Sequence, residues 1–283
     1  MQVFREKQPL IQAIQKIKSE GKSIGLVPTM GALHEGHLSL VKNAQKDSDQ
    51  VVVSIFVNPT QFDNPEDLEK YPRNLEKDLE LLENELSNIW VFTPTANELY
   101  GETISSQNFD FEGLESVMEG EYRTGHFDGV GTVVKHLFEA VTPDKAFFGE
   151  KDFQQLQIIR KLTEKTGLPV EIIGCPILRE ESGLARSSRN ERLSSQNRKE
   201  AAFIYETLKD ANQLFGTESA DYVVNWVENK FQNNQFLKLE YFEIADSETL
   251  KKINQKEKGK QYRAFIAAYA DDIRLIDNIA LDN

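Results

Sequence analysis

Short apolar runs alternate with amphipathic stretches through the first part of the chain. Residues 51–57 (VVVSIFV) are nearly all β-branched or aromatic, the pattern of a parallel strand that is covered on both faces. Similar runs predict further strands at residues 24–27, 89–92, 145–148 and 170–173. Between these runs apolar residues recur at helical spacing, as at residues 132–141, where we predict a helix. Strands that alternate with helices predict an α/β fold, a Rossmann-like doubly wound parallel sheet.

The pattern changes after residue 177. A polar segment is followed by two predicted helices and three predicted antiparallel strands, at residues 199–214, 222–231, 237–245, 262–269 and 273–276. This arrangement is typical of an α+β domain. We therefore predict a Rossmann-like domain over residues 1–177 and a smaller α+β C-terminal domain over residues 178–283.

Composition narrows the class of protein. The formal net charge is −13, which argues against a nucleic-acid partner but leaves room for a small anion such as ATP. No apolar run approaches the length of a membrane span, and the first residues lack the apolar core of a signal peptide. We therefore expect no membrane partner. The single Cys175 cannot form an intrachain disulfide, so we also expect a reducing, cytoplasmic location.

The segment that joins the first long apolar run to its helix carries the strongest candidate chemistry. Residues 28–36 form a loop between a predicted strand and a predicted helix, and they hold His34, with His37 following. A strand that turns directly into a helix presents backbone N–H groups and the positive end of the helix dipole. This geometry binds phosphate.

Three interpretations of His34 and His37 compete. They can be polar caps at the start of a helix. They can be metal ligands, although the zinc pattern of metalloproteases places its histidines at i and i+4 rather than i and i+3. The third interpretation is the H-x-G-H signature of nucleotidyl-transferring enzymes, in which the imidazoles contact the triphosphate.

Other polar clusters also follow predicted strands. Asn58 and Gln61 follow one strand, Gly149 to Gln155 follow another, and Arg186 to Asn190 come after a third. In a parallel sheet, ligands bind outside the carboxyl ends of the strands. We therefore expect the four clusters to share one edge of the sheet and one ligand.

Five segments carry a resemblance to a known family. They are residues 28–37 (PTMGALHEGH), 54–59 (SIFVNP), 148–152 (FGEKD) with Gln154 and Gln155, 184–190 (LARSSRN) and 275–280 (LIDNIA). In order and spacing they resemble the signature segments of the pantothenate synthetases across essentially the whole chain. The resemblance implies ATP-dependent condensation of pantoate with β-alanine through a pantoyl-adenylate, releasing AMP and pyrophosphate. It also implies a Mg²⁺ requirement and a cytoplasmic homodimer. From its Ser, Arg and Gly content we expect segment 179–197 to close over the adenylate, so that residues 178–283 act as a lid on the nucleotide- and pantoate-binding domain.

The resemblance also implies roles for individual residues. His37 would donate a proton, His34 and Lys151 would contact phosphates, and Arg189 would hold the outer phosphates with its serine neighbours. The full predicted ATP-binding set is Met30, Gly31, Ala32, Leu33, His34, Glu35, Gly36, His37, Gly149, Glu150, Lys151, Asp152, Leu178, Arg186, Ser187, Ser188 and Arg189. Gln61 and Gln155 would bind pantoate or β-alanine. Asp78 can be a solvated residue at the margin of a helix face or a magnesium contact, and we predict the magnesium contact.

Some positions depart from the common pattern of the family. Thr60 stands where Met or Leu is usual, Phe153 replaces Tyr, Arg186 replaces Met or Leu, and Thr124 replaces Pro. Arg186 adds a cation beside the predicted phosphate contacts. The rival predictions are another H-x-G-H nucleotidyltransferase, such as a cytidylyltransferase-like enzyme, and a nucleotide-binding module without chemistry.

Overall fold

The computed structural model describes residues 1–62, 65–253 and 255–282. The chain divides into two compact units, Met1–Glu150 with Gln154–Pro176, and Lys151–Phe153 with Ile177–Asn283. We call them the N-terminal unit and the C-terminal unit. Along the described residues, no helix has both the length and the apolar character needed to cross a membrane.

Parallel strands form the centre of the N-terminal unit. Within the described residues they are β1 (Gln2–Phe4), β2 (Ile24–Thr29), β3 (Gln50–Ile55), β4 (Ile89–Phe92), β5 (Lys145–Gly149) and β6 (Glu171–Cys175). All their pairings are parallel, in the order β1-β4-β3-β2-β5-β6. The order reverses between β2 and β5, which is where open parallel sheets bind ligands. The predicted doubly wound parallel sheet is confirmed.

The helices of this unit pack on the sheet or connect its strands. They are α1 (Lys7–Ser19), α2 (Glu35–Asp47), α3 (Pro65–Lys70), α4 (Leu75–Glu85), α5 (Ala96–Tyr100), α6 (Glu119–Tyr122), α7 (His126–Val141) and α8 (Phe153–Thr166). Val41 of α2 and Leu82 of α4 are buried against Val27 and Val53 of the sheet. Leu26, next to Val27, alternates to the opposite face and is also buried. Burial on both faces explains why the central strands are apolar throughout.

The C-terminal unit joins helices to an antiparallel sheet. Its described elements are α9 (Ser195–Glu200), α10 (Ala202–Phe215), α11 (Ala220–Gln232), β7 (Leu237–Asp246), β8 (Tyr262–Ala270) and β9 (Ile273–Leu281), with strand order β7-β8-β9. Leu208 of α10 and Val227 of α11 pack in one core with Ile244 and Ile266 of the sheet. This is the α+β arrangement that the sequence predicts.

Several boundaries differ from the sequence prediction. Helix α7 begins at His126, well before the predicted start at Thr132. Strand β9 continues to Leu281, beyond the predicted end at residue 276. The predicted helix over residues 199–214 is divided at Ala201, whose backbone nevertheless stays in the right-handed helical region.

Candidate active site

The loop between β2 and α2 turns sharply at two successive residues. Gly31 has a φ of 82° and Ala32 a φ of 51°, both in the left-handed region. Glycine adopts this region readily, whereas alanine does so at a steric cost. A Cβ at position 31 would lie 2.9 Å from Oδ2 of Asp78. Glycine therefore supplies both the conformation and the room for a carboxylate beside the loop.

Asp78 holds this loop by its backbone. Its Oδ2 accepts a hydrogen bond from the Ala32 N–H at 3.1 Å, and its Oδ1 accepts one from the Leu33 N–H at 2.7 Å. Asp78 is only 4% exposed. Burial raises the pKa of Asp78 above its ordinary value of 3.8, although the hydrogen bonds from Leu33 and Ala32 oppose the shift. The carboxylate thus stabilises the strained turn at Ala32 that precedes the two histidines.

The predicted magnesium contact of Asp78 stays a prediction. Each carboxylate oxygen already accepts a backbone N–H. Among the residues that the structure describes, no group of three His, Cys, Asp or Glu side chains is placed to hold a metal ion. These residues therefore do not fit a resident metal site, and the observed contacts of Asp78 are those of a residue that positions the loop.

We expect Asp78→Asn to disturb the loop. The asparagine amide keeps only one of the two acceptor oxygens. Its NH₂ group would replace the other oxygen and face a backbone N–H of the loop, which would then have no acceptor. Such a loss costs about 1–3 kcal/mol of stability, and displacing the histidines should lower the adenylation rate about tenfold or more. Thermal unfolding and the rate of pyrophosphate release measure the two effects. Glu76→Gln, an exposed position on the same helix, is the control; equal rates in the two variants would contradict the positioning role.

Reciprocal hydrogen bonds fix His34 and His37 at the start of α2. The Nδ1 atom of His34 accepts the Gly36 N–H at 3.1 Å, and Nδ1 of His37 accepts the His34 N–H at 3.3 Å. A ring nitrogen that accepts a hydrogen bond carries no proton, so each neutral imidazole bears its proton on Nε2. The rings lie 4.1 Å apart between centroids. Both histidines therefore cap the helix and also present an Nε2–H donor beside its positive end.

Asn58 orients the side chain of Gln61. Its Nδ2 donates to Oε1 of Gln61 and to the carbonyl of Gly129, each at 3.1 Å. Its Oδ1 accepts from the hydroxyls of Thr60 and Tyr100. Since the Gln61 oxygen is engaged by Asn58, the Gln61 amide presents its NH₂ group as a donor. Gln61, a predicted substrate contact, is buried at the end of the segment that follows β3.

The two adjacent glutamines of α8 have different surroundings. Gln154 is buried, and its Nε2 donates to the carbonyls of Leu114 and Val117 at 2.8 and 2.7 Å. Its Oε1 accepts the Glu119 N–H at 3.1 Å. Gln154 therefore holds a loop by its backbone. Gln155, the predicted substrate contact, is half-buried beside it.

Predicted phosphate contacts meet in one pocket of the C-terminal unit. Lys151, Ser187 and Arg189 line this pocket together with β9 residues. The Ser187 hydroxyl accepts the Arg189 N–H at 3.2 Å and so begins the helical turn Ser188–Arg192. The Lys151 Nζ lies 3.5 Å from Oδ1 of Asp152. Beside apolar residues such as Leu184 and Ile204, the lining residues thus include side chains that carry an ammonium, a guanidinium and a hydroxyl, which are suited to a phosphate group. We call it the anion pocket.

Glu180 organises the segment that supplies Ser187 and Arg189. Its carboxylate accepts hydrogen bonds from Arg186 at 3.1 Å, Asn190 at 2.9 Å and Arg198 at 2.9 and 3.0 Å. Burial alone would raise the pKa of Glu180, but the hydrogen bonds from Arg198, Asn190 and Arg186 outweigh it, and the pKa is lowered from 4.5. Arg186 also pairs with Glu191 at 3.2 Å. The unusual cation at position 186 is therefore offset by two carboxylates.

We expect Glu180→Gln to lower stability at neutral pH by about 2 kcal/mol, because it removes a charged acceptor shared by three side chains. Because the pKa of Glu180 is lower in the folded state, its ionised carboxylate stabilises the fold. This stabilisation is fully present above pH 4.5 and is lost as the pH falls through the folded-state pKa. The difference in Tm between the variant and the wild type should therefore shrink below pH 4.5. Thermal unfolding across this range tests the expectation, with the exposed Glu206→Gln as control. A difference that stays constant with pH would contradict it.

Comparison with known proteins identifies the family. The family model described as pantoate–β-alanine ligase matches residues 2–280. The chain belongs to the pantoate–β-alanine ligase family. It is 86% identical over 283 residues to the pantothenate synthetase of Christiangramia forsetii, covering 100% of both chains. It is 53% identical over 281 residues to that of Flavobacterium psychrophilum, covering 99% of this chain and 100% of the relative. The resemblance inferred from the motifs is confirmed.

Solved structures of this ligase family share the fold. The pantothenate synthetase of Thermus thermophilus matches with a TM-score of 0.88 and 38% identity, and the match covers 99% of each chain. The pantoate–β-alanine ligase of Francisella tularensis, solved in complex with β-γ ATP and β-alanine, matches with a TM-score of 0.79 and 34% identity. That match covers 99% of this chain and 97% of the Francisella chain.

The residues predicted from the ligase resemblance are divided between the two units. The N-terminal unit holds Met30, Gly31, Ala32, Leu33, His34, Glu35, Gly36, His37, Gln61, Asp78, Gly149, Glu150 and Gln155. The C-terminal unit holds Lys151, Asp152, Leu178, Arg186, Ser187, Ser188 and Arg189. Within the N-terminal unit, the His34 loop and Gln61 follow the carboxyl ends of β2 and β3, and Gly149 is the last residue of the neighbouring strand β5. The anion pocket brings three of the others together.

Sequence reasoning assigned no role to several supporting residues. Asn58 and Gln154 lie inside the segments that carried the ligase resemblance. Their position close in sequence to the predicted substrate contacts Gln61 and Gln155 could have indicated a supporting role. Glu180 gave no such signal, because its partners lie six, ten and eighteen positions away along the chain.

Proposed function

We propose that this chain joins pantoate to β-alanine in two ATP-dependent steps, through a pantoyl-adenylate, with release of AMP and pyrophosphate. The family match over residues 2–280 carries the proposal. The ATP and β-alanine in the complex of the Francisella tularensis relative support the choice of nucleotide and amine.

In the first step a carboxylate oxygen of pantoate attacks the α-phosphorus of ATP, and the bond from this phosphorus to pyrophosphate breaks. Negative charge builds on the phosphoryl oxygens and on the leaving pyrophosphate. We assign the Nε2–H of His37 as the proton donor and the Nε2–H of His34 as a phosphate contact. Both donors are fixed before the substrate arrives, since the cap bonds at Nδ1 set the tautomer.

The anion pocket supplies the positive charge for the same step. Lys151 provides a compact charge for the α-phosphate oxygens. Arg189, with Ser187 and Ser188, would hold the outer phosphates, because a guanidinium fork matches phosphate geometry. Arg186 is engaged by Glu180 and Glu191, so we assign it to the support of this segment rather than to direct charge compensation.

Substrate recognition is assigned to the neutral amides. Pantoate bears hydroxyl groups and a carboxylate, and the Gln61 NH₂ group that Asn58 orients can donate to them. Gln155 can both donate and accept. A site built to hydrogen-bond such groups rejects analogues that lack them, because its own polar groups would be left unpaired.

In the second step the amine of β-alanine attacks the acyl carbon, an amide bond forms and AMP leaves. Water must be kept from the adenylate, since hydrolysis would waste ATP. We propose that residues 1–177 bind the nucleotide and pantoate and that residues 178–283 act as the lid. A variant with a shortened segment 179–197 should lose more adenylate to hydrolysis than the wild type.

We further propose that Mg²⁺ enters with ATP as the substrate complex. This ion commonly binds through substrate phosphates with one or two carboxylates, which agrees with the lack of a three-ligand cluster among the described residues. A cytoplasmic homodimer is proposed from the family resemblance. Analytical ultracentrifugation at micromolar concentration tests the dimer.

The decisive experiment measures AMP and pyrophosphate formation from ATP with pantoate present or absent, and with β-alanine present or absent. We expect pyrophosphate release to require pantoate, and stoichiometric pantothenate to require β-alanine as well. Pyrophosphate release that depends on CTP and a phosphorylated alcohol, without dependence on pantoate, would instead support a cytidylyltransferase-like enzyme. Nucleotide binding without pyrophosphate release would support a module without chemistry.

A further inference from the structure

The closing segment of the family resemblance, residues 275–280, places two buried polar side chains side by side. Asp277 and Asn278 lie in β9 and are 4% and 2% exposed. Successive side chains of a strand point to opposite faces of the sheet. Leu275 lies in the helix-packed core on the same face as Asp277. The two buried polar groups therefore reach different parts of the C-terminal unit, and each needs partners there.

Asn278 fixes the turn that contains Lys151. Its Nδ2 donates to the backbone carbonyl of Lys151 at 2.9 Å. Its Oδ1 accepts from Nη1 of Arg263, whose guanidinium lies 3.9 Å from the centroid of the Phe153 ring. The amide and the stacked guanidinium thus hold Lys151 and Phe153 from the same face of the sheet. The backbone position of Lys151 is set by β9.

Asp277 fixes the segment that leads to Ser187 and Arg189. Its carboxylate forms a bidentate ion pair with Arg179, with distances of 2.6 and 3.0 Å. The Arg179 guanidinium stacks 3.6 Å from the centroid of the Tyr205 ring and also donates to the Gly183 carbonyl at 3.1 Å. Arg179 pairs with Ala185 across an antiparallel bridge. The hairpin that precedes Ser187 is therefore held to β9 through one buried ion pair.

The anion pocket is the place where these two attachments meet. Lys151, Ser187 and Arg189 line it, and so do the β9 residues from Arg274 to Asp277. We propose that Asp277 and Asn278 are positioning residues that set Lys151 and Arg189 at the separation needed to bind one polyphosphate. This rests on the proposed function in naming ATP as the ligand; the cationic side chains that line the pocket favour a polyanion.

The chemistry of each position agrees with this role. The carboxylate of Asp277 lies beside an anion site, but Arg179 neutralises it. Position 278 carries a neutral amide, which donates to the Lys151 carbonyl without adding charge. An aspartate there would keep the pairing with Arg263 through one oxygen, but it would lose the donor and direct its other oxygen at the Lys151 carbonyl.

The test uses the full chain and the variant Asn278→Asp. We expect its affinity for inorganic tripolyphosphate, measured by calorimetry, to fall at least about tenfold, with a similar rise in KM for ATP and no change in KM for pantoate. Asn278→Ala removes the amide without adding charge, so its affinity should fall less but in the same direction. Asn225→Asp, an exposed site on α11, adds the same charge as the control.

The outcomes separate positioning from a purely structural role. If either folded Asn278 variant bound tripolyphosphate and ATP as the control does, while only its Tm fell, the proposal would be overturned. Asn278→Ala serves where Asn278→Asp does not fold. Tripolyphosphate binding requires no turnover, so this test does not depend on the ligase reaction. If the wild-type protein bound tripolyphosphate but released no pyrophosphate with pantoate, the proposed function would be rejected. The positioning role of Asn278 could still be tested.

Discussion

Replacing His37 with alanine is expected to lower the rate of pantoate-dependent pyrophosphate release by at least about 10²-fold. The variant loses the Nε2–H donor that we assign to the phosphates. It also loses the Nδ1 acceptor for the His34 N–H, which is part of the reciprocal cap on α2. A single-turnover measurement with ATP and pantoate isolates the adenylation step from later steps.

His37→Gln separates the two losses. Glutamine at the third position of a helix can accept the N–H of the capping residue, so this variant should keep the stability of the wild type. Its amide can donate a hydrogen bond but cannot transfer a proton in the role assigned to the imidazole Nε2–H. A wild-type rate in His37→Gln would reject the proton-donor role and leave only a hydrogen bond. A wild-type rate in His37→Ala would reject both.

The central sheet could be predicted because its strands are buried on both faces. A strand such as β3 has no polar face, so its run of valines identifies it without knowledge of its neighbours. The three antiparallel strands of the C-terminal unit gave a weaker signal. The even-numbered residues Ala264, Ile266 and Ala268 of β8 belong to the helix-packed core, but the intervening residues are mostly buried as well. The alternation of apolar and polar residues therefore predicted where these strands lie, but it did not predict where β9 ends.

Helix α7 shows how packing can contradict a local pattern. Gly129 and Gly131 lie in its first turns, and glycines there predict a loop. In the structure a Cβ at Gly129 would lie 2.3 Å from the Thr60 carbonyl oxygen. Glycine is needed because the segment that carries Gln61 packs directly on the helix backbone. A residue of low helix propensity therefore allows this contact.

The functional side chains of the site could be predicted from motifs, whereas the hydrogen bonds that hold them in place could not. His34, His37 and Lys151 lie in segments that are recognisable in the sequence alone. The proton on each Nε2 depends on hydrogen-bond directions that a sequence does not contain. Asp78 was predicted from its residue type as a metal contact, and only the fold shows that its oxygens accept the N–H groups of the Ala32 turn.

Lys151→Ala is expected to lower pantoate-dependent pyrophosphate release by at least about 10²-fold while the fold stays intact. The side chain is largely buried, lines the anion pocket and carries the compact charge assigned to the α-phosphate. Asn278 holds this residue through its backbone carbonyl, so alanine should keep the turn and lose only the ammonium. Tm and the single-turnover rate measure the two properties separately.

The matched control for Lys151 is Lys145→Ala, which removes the same charge from the other end of β5, where Lys145 lies 3.9 Å from Glu171. Its rate should equal that of the wild type. Lys151→Arg keeps the charge but replaces a point charge with a planar fork, so it should recover only part of the rate. Equal rates in Lys151→Ala and Lys145→Ala would remove the ammonium from the mechanism.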